Sequence, residues 1–508
     1  MNGQQLADII NYISDPKIKT DTNTALLLER LHLLKKENRT FSDVFTEENG
    51  EKQQYIQLVQ EGGGTLGISL VGFCFVLEYI GIRFTKLAGT SAGAVNTLLM
   101  AALGKNKKEA VTPELFRIIR NMDLFSFVDG NPLAKRIIKS IISKDGWFKT
   151  VLLVYALLLC LLTLIFPVVS AFAVIGKTVY LILLSVFLLL TGMIVFLLLK
   201  FKKARFGINP GNVFLRFLEK ILASKHITNK LELDRIAKFY IDENGLVEGN
   251  TNYHFQLSAA GKQENDRIMQ QMNEQYHKNI YYENTLKGLE ADYTFITVDI
   301  ASERKIELPA HAGLYWKNAS LNVNPSVFVR ASMAIPLFFE PVMVNIDRTD
   351  KNIIKNWGNI FVSRDDIPDK GIFIDGGSIS NFPISIFHNS SMIIPRLPVF
   401  GVRMKETKTN TKPEIKSFWD YAGKILNTMK SNFDKDFLSK NNFYEKYSIA
   451  DIPTFETKAN WLDFNMDEET KKALFLKGVE SALDFLEKFD WLEYKKGRAK
   501  VYFESNFS

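Results

Sequence analysis

Three short stretches hold the residue types that acyl chemistry needs. Gly89-Thr90-Ser91-Ala92-Gly93 is a G-x-S-x-G pentapeptide that follows an apolar run and opens a small-residue helical pattern, the setting of a nucleophile elbow. Glycines flank such a serine because the turn leaves no room for side chains, and the helix that follows favours negative charge at the hydroxyl. Gly62-Gly63-Gly64 closes the preceding strand pattern, where bare backbone N–H groups can face a developing oxyanion. Asp375-Gly376-Gly377 ends a later apolar run. None of the six histidines stands at a strand end like the triad partner of a hydrolase, so Asp375 is the better candidate for a general base. A carboxylate is a weak base toward a serine hydroxyl, and it works only when held at hydrogen-bond distance and partly desolvated.

The elements that position these residues are legible as a pattern of strand, turn, helix, strand, turn and helix. Residues 55–60 are rich in β-formers, 68–80 carry apolar residues at helical spacing, 84–87 form a short strand, and 92–103 a small-residue helix. This alternation predicts an α/β sheet covered by helices. Residues 1–54, with Leu6, Ile9, Ile10 and Ile13 at helical spacing, read as a helical N-terminal extension. Residues 213–222 read as a helix, 295–300 and 371–374 as strands, and 261–292 as an exposed polar insertion. From 405 to 508 the pattern is helical, with an amphipathic segment from Pro413 to Met429 and a last helix opened by Asn465 and Glu468. Either the polar insertion, between Gly261 and Glu290, or the terminal helices are expected to restrict access to Ser91.

Composition narrows the class. A chain of 508 residues with 46% hydrophobic and 23% charged residues is folded and leaves room for more than one unit. Its net charge of +7 is modest, and no basic block reads as a nucleic-acid arm. Residues 148–205 change character: spans at about 151–175 and 179–199 are almost wholly apolar, separated by Gly176-Lys177-Thr178. As one helix this run would reach roughly 70 Å, against a hydrocarbon core of about 30 Å, so a two-helix transmembrane hairpin is expected. Lysines and arginines at both outer ends (Lys144, Lys149, Lys200, Lys202, Lys203, Arg205) place those ends, and both termini, on the cytoplasmic side, next to anionic headgroups. Cys74 and Cys160 lack motif spacing, which argues for a reducing compartment, and the N-terminus lacks the apolar core of a secretory signal. Two crossings between Ser91 and Asp375 keep both on one side of the bilayer.

Taken in order, Glu61-Gly62-Gly63-Gly64-Thr65-Leu66-Gly67, Gly89-Thr90-Ser91-Ala92-Gly93, Arg330-Ala331-Ser332-Met333-Ala334-Ile335-Pro336 with Phe339 and Pro341, and Asp375-Gly376-Gly377 with Asn381 and Pro383 resemble the motif set of the patatin-like phospholipases. The resemblance spans about 55–404 and implies a three-layer α/β/α catalytic domain, interrupted by the hairpin and the polar insertion. It implies a Ser91–Asp375 dyad without histidine, metal or cofactor. Gly62, Gly63 and Gly64 supply the oxyanion hole, Gly89 and Gly93 the elbow, and Gly376 and Gly377 the turn after the base. Leu66 departs from the arginine or lysine common in the family, which bears on substrate preference. The activity so implied is phospholipase A-type hydrolysis of membrane phospholipids through an acyl-enzyme. The alternatives are acyl transfer or thioester hydrolysis by the same dyad, and a catalytically silent membrane-bound interaction protein.

Overall fold

The computed structural model describes residues 3–130, 155–157, 159–160, 174–203, 205–361, 367–406, 428 and 433–507. Most of the first expected span, and almost all of the amphipathic segment from Pro413 to Met429, lie outside the described residues. The chain forms two compact units, one of residues 1–124, 214–334 and 342–508 and one of 125–213 and 335–341.

The larger unit is built on an 11-stranded mixed sheet. Its strands are β1 (Val44–Glu48), β2 (Glu51–Gln60), β3 (Ile82–Thr90), β4 (Phe239–Tyr240), β5 (Gln256–Leu257), β6 (Glu290–Asp299), β7 (Arg304–Leu308), β8 (Val342–Asn345), β9 (Lys370–Asp375), β10 (Val399–Met404) and β11 (Ile449–Ile452). The main path runs β8-β9-β6-β3-β2-β1-β5, with β10 and β11 added beside the second half of β2. The central strands β2, β3 and β6 are parallel; β3 and β6 are almost fully buried, and β2 is buried from Gln54 onward apart from Gln57. β9 enters antiparallel over the C-terminal half of β6 and stops with Asp375 opposite Thr297, while β3 stops with Thr90 opposite Ile296. The two strand ends therefore finish at one level on either side of β6, about 10 Å apart by two strand spacings.

The helices that matter for the site are α1 (Gly3–Ser14), α2 (Thr24–Glu37), α3 (Ile68–Tyr79), α4 (Ala92–Ala102), α5 (Thr112–Arg120), α6 (Ala259–Tyr276), α7 (Pro325–Ser332), α8 (Glu468–Lys488) and α9 (Trp491–Phe507). Every residue of α3 is buried, because α8 lies across it at backbone contact. A Cβ on Gly72 would stand 2.1 Å from the Phe475 carbonyl, and one on Gly478 would stand 1.9 Å from that of Ser69. Arg30 binds Glu487 and Asp484, and Arg39 donates to the Leu486, Glu487 and Phe489 carbonyls, so the N-terminal segment caps the end of α8.

Three expectations for the larger unit need correction. The N-terminal 1–54 and C-terminal 405–508 regions are not purely helical, since they contribute β1 and β11 to the sheet and share its unit. The 261–292 stretch is not simply an exposed insertion: α6 covers its first half and buries Ile268 and Met269 against Ile393, Ile394, Ala499 and Phe503. Its polar outer face masked a narrow apolar stripe. β6 also starts at Glu290 rather than 295, because Ala291 and Tyr293 alternate inward.

In the smaller unit, Gly207–Asn209 pairs in parallel with Leu337–Phe339. Gly130 N donates to Asn209 Oδ1 at 3.0 Å, and Asp129 accepts from Gly211 N and Val213 N at 2.9 and 3.0 Å. The two ends of the apolar insertion are thereby held together. Among the described residues one helix, Val174–Lys203, contains a stretch, Leu184–Lys203, long and apolar enough to cross a membrane, and none of that stretch is buried. It runs straight through Gly176-Lys177-Thr178, so the expected turn there is helix. Glycine and threonine are poor helix formers, but neither removes a hydrogen bond as proline does.

Candidate active site

Ser91 is the N-cap of α4 and takes φ +52°, ψ −118°, a left-handed conformation that a non-glycine residue holds only under constraint from its surroundings. The constraint is visible in the glycines. A Cβ on Gly89 would lie 2.3 Å from the Gly93 carbonyl, and one on Gly93 would lie 2.4 Å from the Gln60 carbonyl. The first turn of α4 therefore rests directly on the ends of β3 and β2, and the serine is pressed out between them. Its backbone N–H donates to Ser332 Oγ at 3.0 Å, and that hydroxyl donates to the Ile296 carbonyl at 2.6 Å. The elbow is thus pinned to β6 through α7. Ser91 Oγ donates to Met333 Sδ at 3.3 Å, a weak acceptor that releases the proton donor at little cost.

Asp375, at the end of β9, is buried and its Oδ1 accepts from Gly377 N at 2.7 Å. Gly376 brings it against the elbow: a Cβ there would lie 3.0 Å from Thr90 Cγ2, the residue before Ser91, and 2.3 Å from the Ile296 carbonyl. Asn381 joins the Asp375 turn to the glycine turn. Its Nδ2 donates to the Gly62 carbonyl at 2.9 Å, its own carbonyl accepts from Gly62 N at 3.0 Å, and its Oδ1 faces both Gly62 and Gly377. Asp434 holds the same loop from behind, accepting from Ser380 Oγ at 2.7 Å and Phe382 N at 2.9 Å. Burial raises the Asp434 carboxyl above the usual aspartate range, and these donors oppose that shift.

The glycine turn divides by role. Gly62 lies against Ser91, with its Cβ position 3.0 Å from Ser91 Cβ, but its N–H is spent on Asn381. Gly63 and Gly64 N–H donate to no group among the described residues. Gly64 takes φ +54° with the Trp461 carbonyl where a Cβ would stand, and that carbonyl also accepts from Thr65 N at 3.0 Å. Ala92 N–H, the first amide of α4, has no intrahelical acceptor and is a third donor beside Ser91. Leu66 is buried beneath the turn, where a cation would find no solvent. Sequence reasoning missed Ala92 as a donor, along with Met333 and Asp434. Ser332 and Asn381 stood in recognised motifs, but their hydrogen bonds join positions far apart in sequence.

A cavity of about 1100 Å³ lined by Arg83, Lys108, Glu114, Lys225 and Tyr253 sits at the C-terminal end of α4, the far end from Ser91. It does not include the candidate residues. His388 contacts Tyr444 Oη at 3.1 Å and the Phe437 ring, and burial, with Arg498 nearby, pulls its imidazole down to about 4. The folded chain therefore keeps this ring neutral while the unfolded chain, with an ordinary value of about 6.5, protonates first. Stability from this group is complete above pH 6.5 and is lost as pH falls toward 4. The urea unfolding midpoint should fall across that window, and less steeply in His388→Gln; an unchanged slope would assign the loss to other groups.

An uncharacterized protein, YqhO of Bacillus subtilis (strain 168), is 26% identical over 202 residues, which cover 39% of this chain and 57% of that protein. The chain thus spans little more than half the length of this curated relative. The crystal structure of VipD from Legionella pneumophila overlies 88% of this chain and 70% of its own, at 14% identity and a TM-score of 0.33. The family model of the patatin-like phospholipases matches residues 58–388, which takes in Ser91, Asp375 and the glycine turn, and the chain belongs to that family.

Proposed function

We propose that the chain is a membrane-anchored lipid acyl hydrolase that cleaves fatty acyl esters of phospholipids through Ser91 and Asp375. The observation that carries this reading is the strained Ser91 at the start of α4 with the Asp375-Gly376 turn packed on the residue before it. In the proposed cycle Ser91 Oγ leaves Met333, gives its proton to Asp375 and attacks the ester carbonyl. Gly63, Gly64 and Ala92 N–H groups hold the oxyanion, and the α4 N-terminus adds favourable potential. Collapse of the tetrahedral intermediate expels the alcohol, which takes the proton back from Asp375. Water, deprotonated by Asp375, then attacks the acyl-serine, and collapse of that second intermediate releases the fatty acid as Ser91 Oγ takes the proton back from Asp375.

The anchor is proposed as two spans with both outer ends on the cytoplasmic side. The hydrogen bond from Gly130 to Asn209 favours an even number of crossings, because one span would separate those residues by about 30 Å. Tyr155 stacks on Phe187 at 5.3 Å and its hydroxyl meets Thr191 Oγ1, which supports contact between the two apolar runs.

The test uses the full chain, reconstituted into vesicles of phosphatidylcholine and phosphatidylglycerol, with products resolved by mass. Equal molar release of fatty acid and lysophospholipid supports the reading. Acyl transfer to an added alcohol without free acid would favour the acyltransferase alternative, and no product from these or other acyl esters would favour a silent protein.

A further inference from the structure

The end of β2 is tied to α4 by buried side chains that the cycle above does not use. Gln60, the last residue of β2, is fully buried, and its Oε1 accepts from Asn96 Nδ2 while its Nε2 donates to Thr97 Oγ1 at 3.1 Å. Asn96 and Thr97 lie on α4, five and six residues beyond Ser91. Cys74 of α3 adds a third arm, its Sγ 3.8 Å from Gln60 Oε1, and burial keeps that thiol protonated as a donor. Next to these bonds the backbones touch, because the missing Cβ of Gly93 admits the Gln60 and Glu61 carbonyls.

We propose that Gln60 and Asn96 are positioning residues that set the distance between the oxyanion turn and the nucleophile. The reasoning rests on the dyad reading. Gln60 is three residues before Gly63, and on the other side the turn is held by Glu61 N to Val402 O and Gly62 N to Asn381 O. A shift of β2 along α4 would carry Gly63 and Gly64 away from Ser91, and the paired amides resist that shift directionally where an apolar contact would slide. The arrangement also leaves Asn96 Oδ1 buried and without a hydrogen bond among the described residues. An apolar pair would avoid that orphan oxygen, so the polar pair is poorly explained by packing alone.

The test separates transition-state positioning from plain stability. Wild type, Asn96→Leu and Gln60→Leu/Asn96→Leu are compared in detergent micelles for hydrolysis of a short-chain p-nitrophenyl ester. Their affinities are measured for an alkyl trifluoromethyl ketone, which forms a tetrahedral adduct with the serine, and for the matching alcohol, which cannot. In Asn96→Leu the ketone-to-alcohol affinity ratio and kcat should fall together by about tenfold to a hundredfold, with KM moved less than about threefold. In the double variant, with both polar partners removed, the unfolding midpoint should recover while the ratio stays low. The proposal is overturned if Asn96→Leu keeps the wild-type ratio, or if restored stability in the double variant restores the ratio. If Asn96→Leu does not fold, the double variant alone decides between these outcomes. A wild type that binds ketone and alcohol equally would instead remove the dyad reading on which the proposal stands.

Discussion

Replacing Ser91 with alanine should lower fatty acid release by at least about 10⁴-fold and abolish labelling by a serine-directed fluorophosphonate, while the protein still folds. The loss follows from chemistry: no other hydroxyl in the elbow can form the acyl-enzyme, and the oxyanion donors alone have no nucleophile to serve. The preserved fold follows from the local bonds. Ser91 Oγ gives one hydrogen bond, to the weak acceptor Met333, while the bonds that fix the elbow run through backbone, from Ser91 N to Ser332 and from Ala94 and Val95 to the Ser91 carbonyl. Alanine keeps all of the latter and inherits the φ of +52°. Ser91→Gly should be equally inactive yet more stable than Ser91→Ala by about 1 kcal/mol, because glycine takes this φ without strain. The comparison needs one urea titration per variant. Hydrolysis retained in Ser91→Ala would remove the nucleophile assignment, and a glycine variant no more stable than alanine would remove the claim that the elbow is strained.

That strain explains why the elbow was legible from sequence. Gly89 and Gly93 are demanded because a Cβ on either would fall 2.3 and 2.4 Å from a neighbouring carbonyl, so their spacing around a serine carries steric information that a single chain reveals. The middles of β2 and β3 were legible from the β-forming residues at 55–60 and 84–87, although both strands also bury polar groups such as Gln60 and Arg83. The supports of the site were not. Ser332 reaches Ser91 across 241 residues of chain, Ser380 reaches Asp434 across 54, and no local periodicity encodes such pairings. The misread elements share a different cause. α6 shows solvent a polar face of Gln, Asn and Lys, and its buried stripe is too narrow to dominate the pattern. β11 is four residues long and sits among helices, so only its pairing with β10 makes it a strand. The Val174–Lys203 helix passes through a glycine and a lysine that look like a turn in a string of letters.

Replacing Asp375 with asparagine should cost at least about 10³-fold in hydrolysis and leave the unfolding midpoint close to that of wild type. The amide is nearly the size of the carboxylate, and its Oδ1 can still accept from Gly377 N, so the base turn and its contact with Thr90 survive. What disappears is the ability to take a proton. Both halves of the proposed cycle need that step, acylation from the serine hydroxyl and deacylation from water, so no burst of the first product should precede the slow phase. The pH dependence of the residual rate separates the dyad from a triad in which an aspartate orients a histidine, where the same substitution is also costly. With a histidine as base, the asparagine variant would retain a nucleophile with an intact partner and would recover rate as pH rises. His388 and His311, the histidines whose rings burial holds below the ordinary range, bond to Tyr444 and to the Glu307 backbone N–H and not to Ser91. Asp375→Glu supplies the complementary measurement: a carboxylate one methylene longer keeps the chemistry but overshoots the turn, so its rate should lie between wild type and Asp375→Asn. If the glutamate variant were no faster than the asparagine variant, geometry alone would account for the loss and proton transfer would not need to be assigned to this residue. If Asp375→Asn kept more than about a tenth of wild-type activity, the base would have to be sought elsewhere.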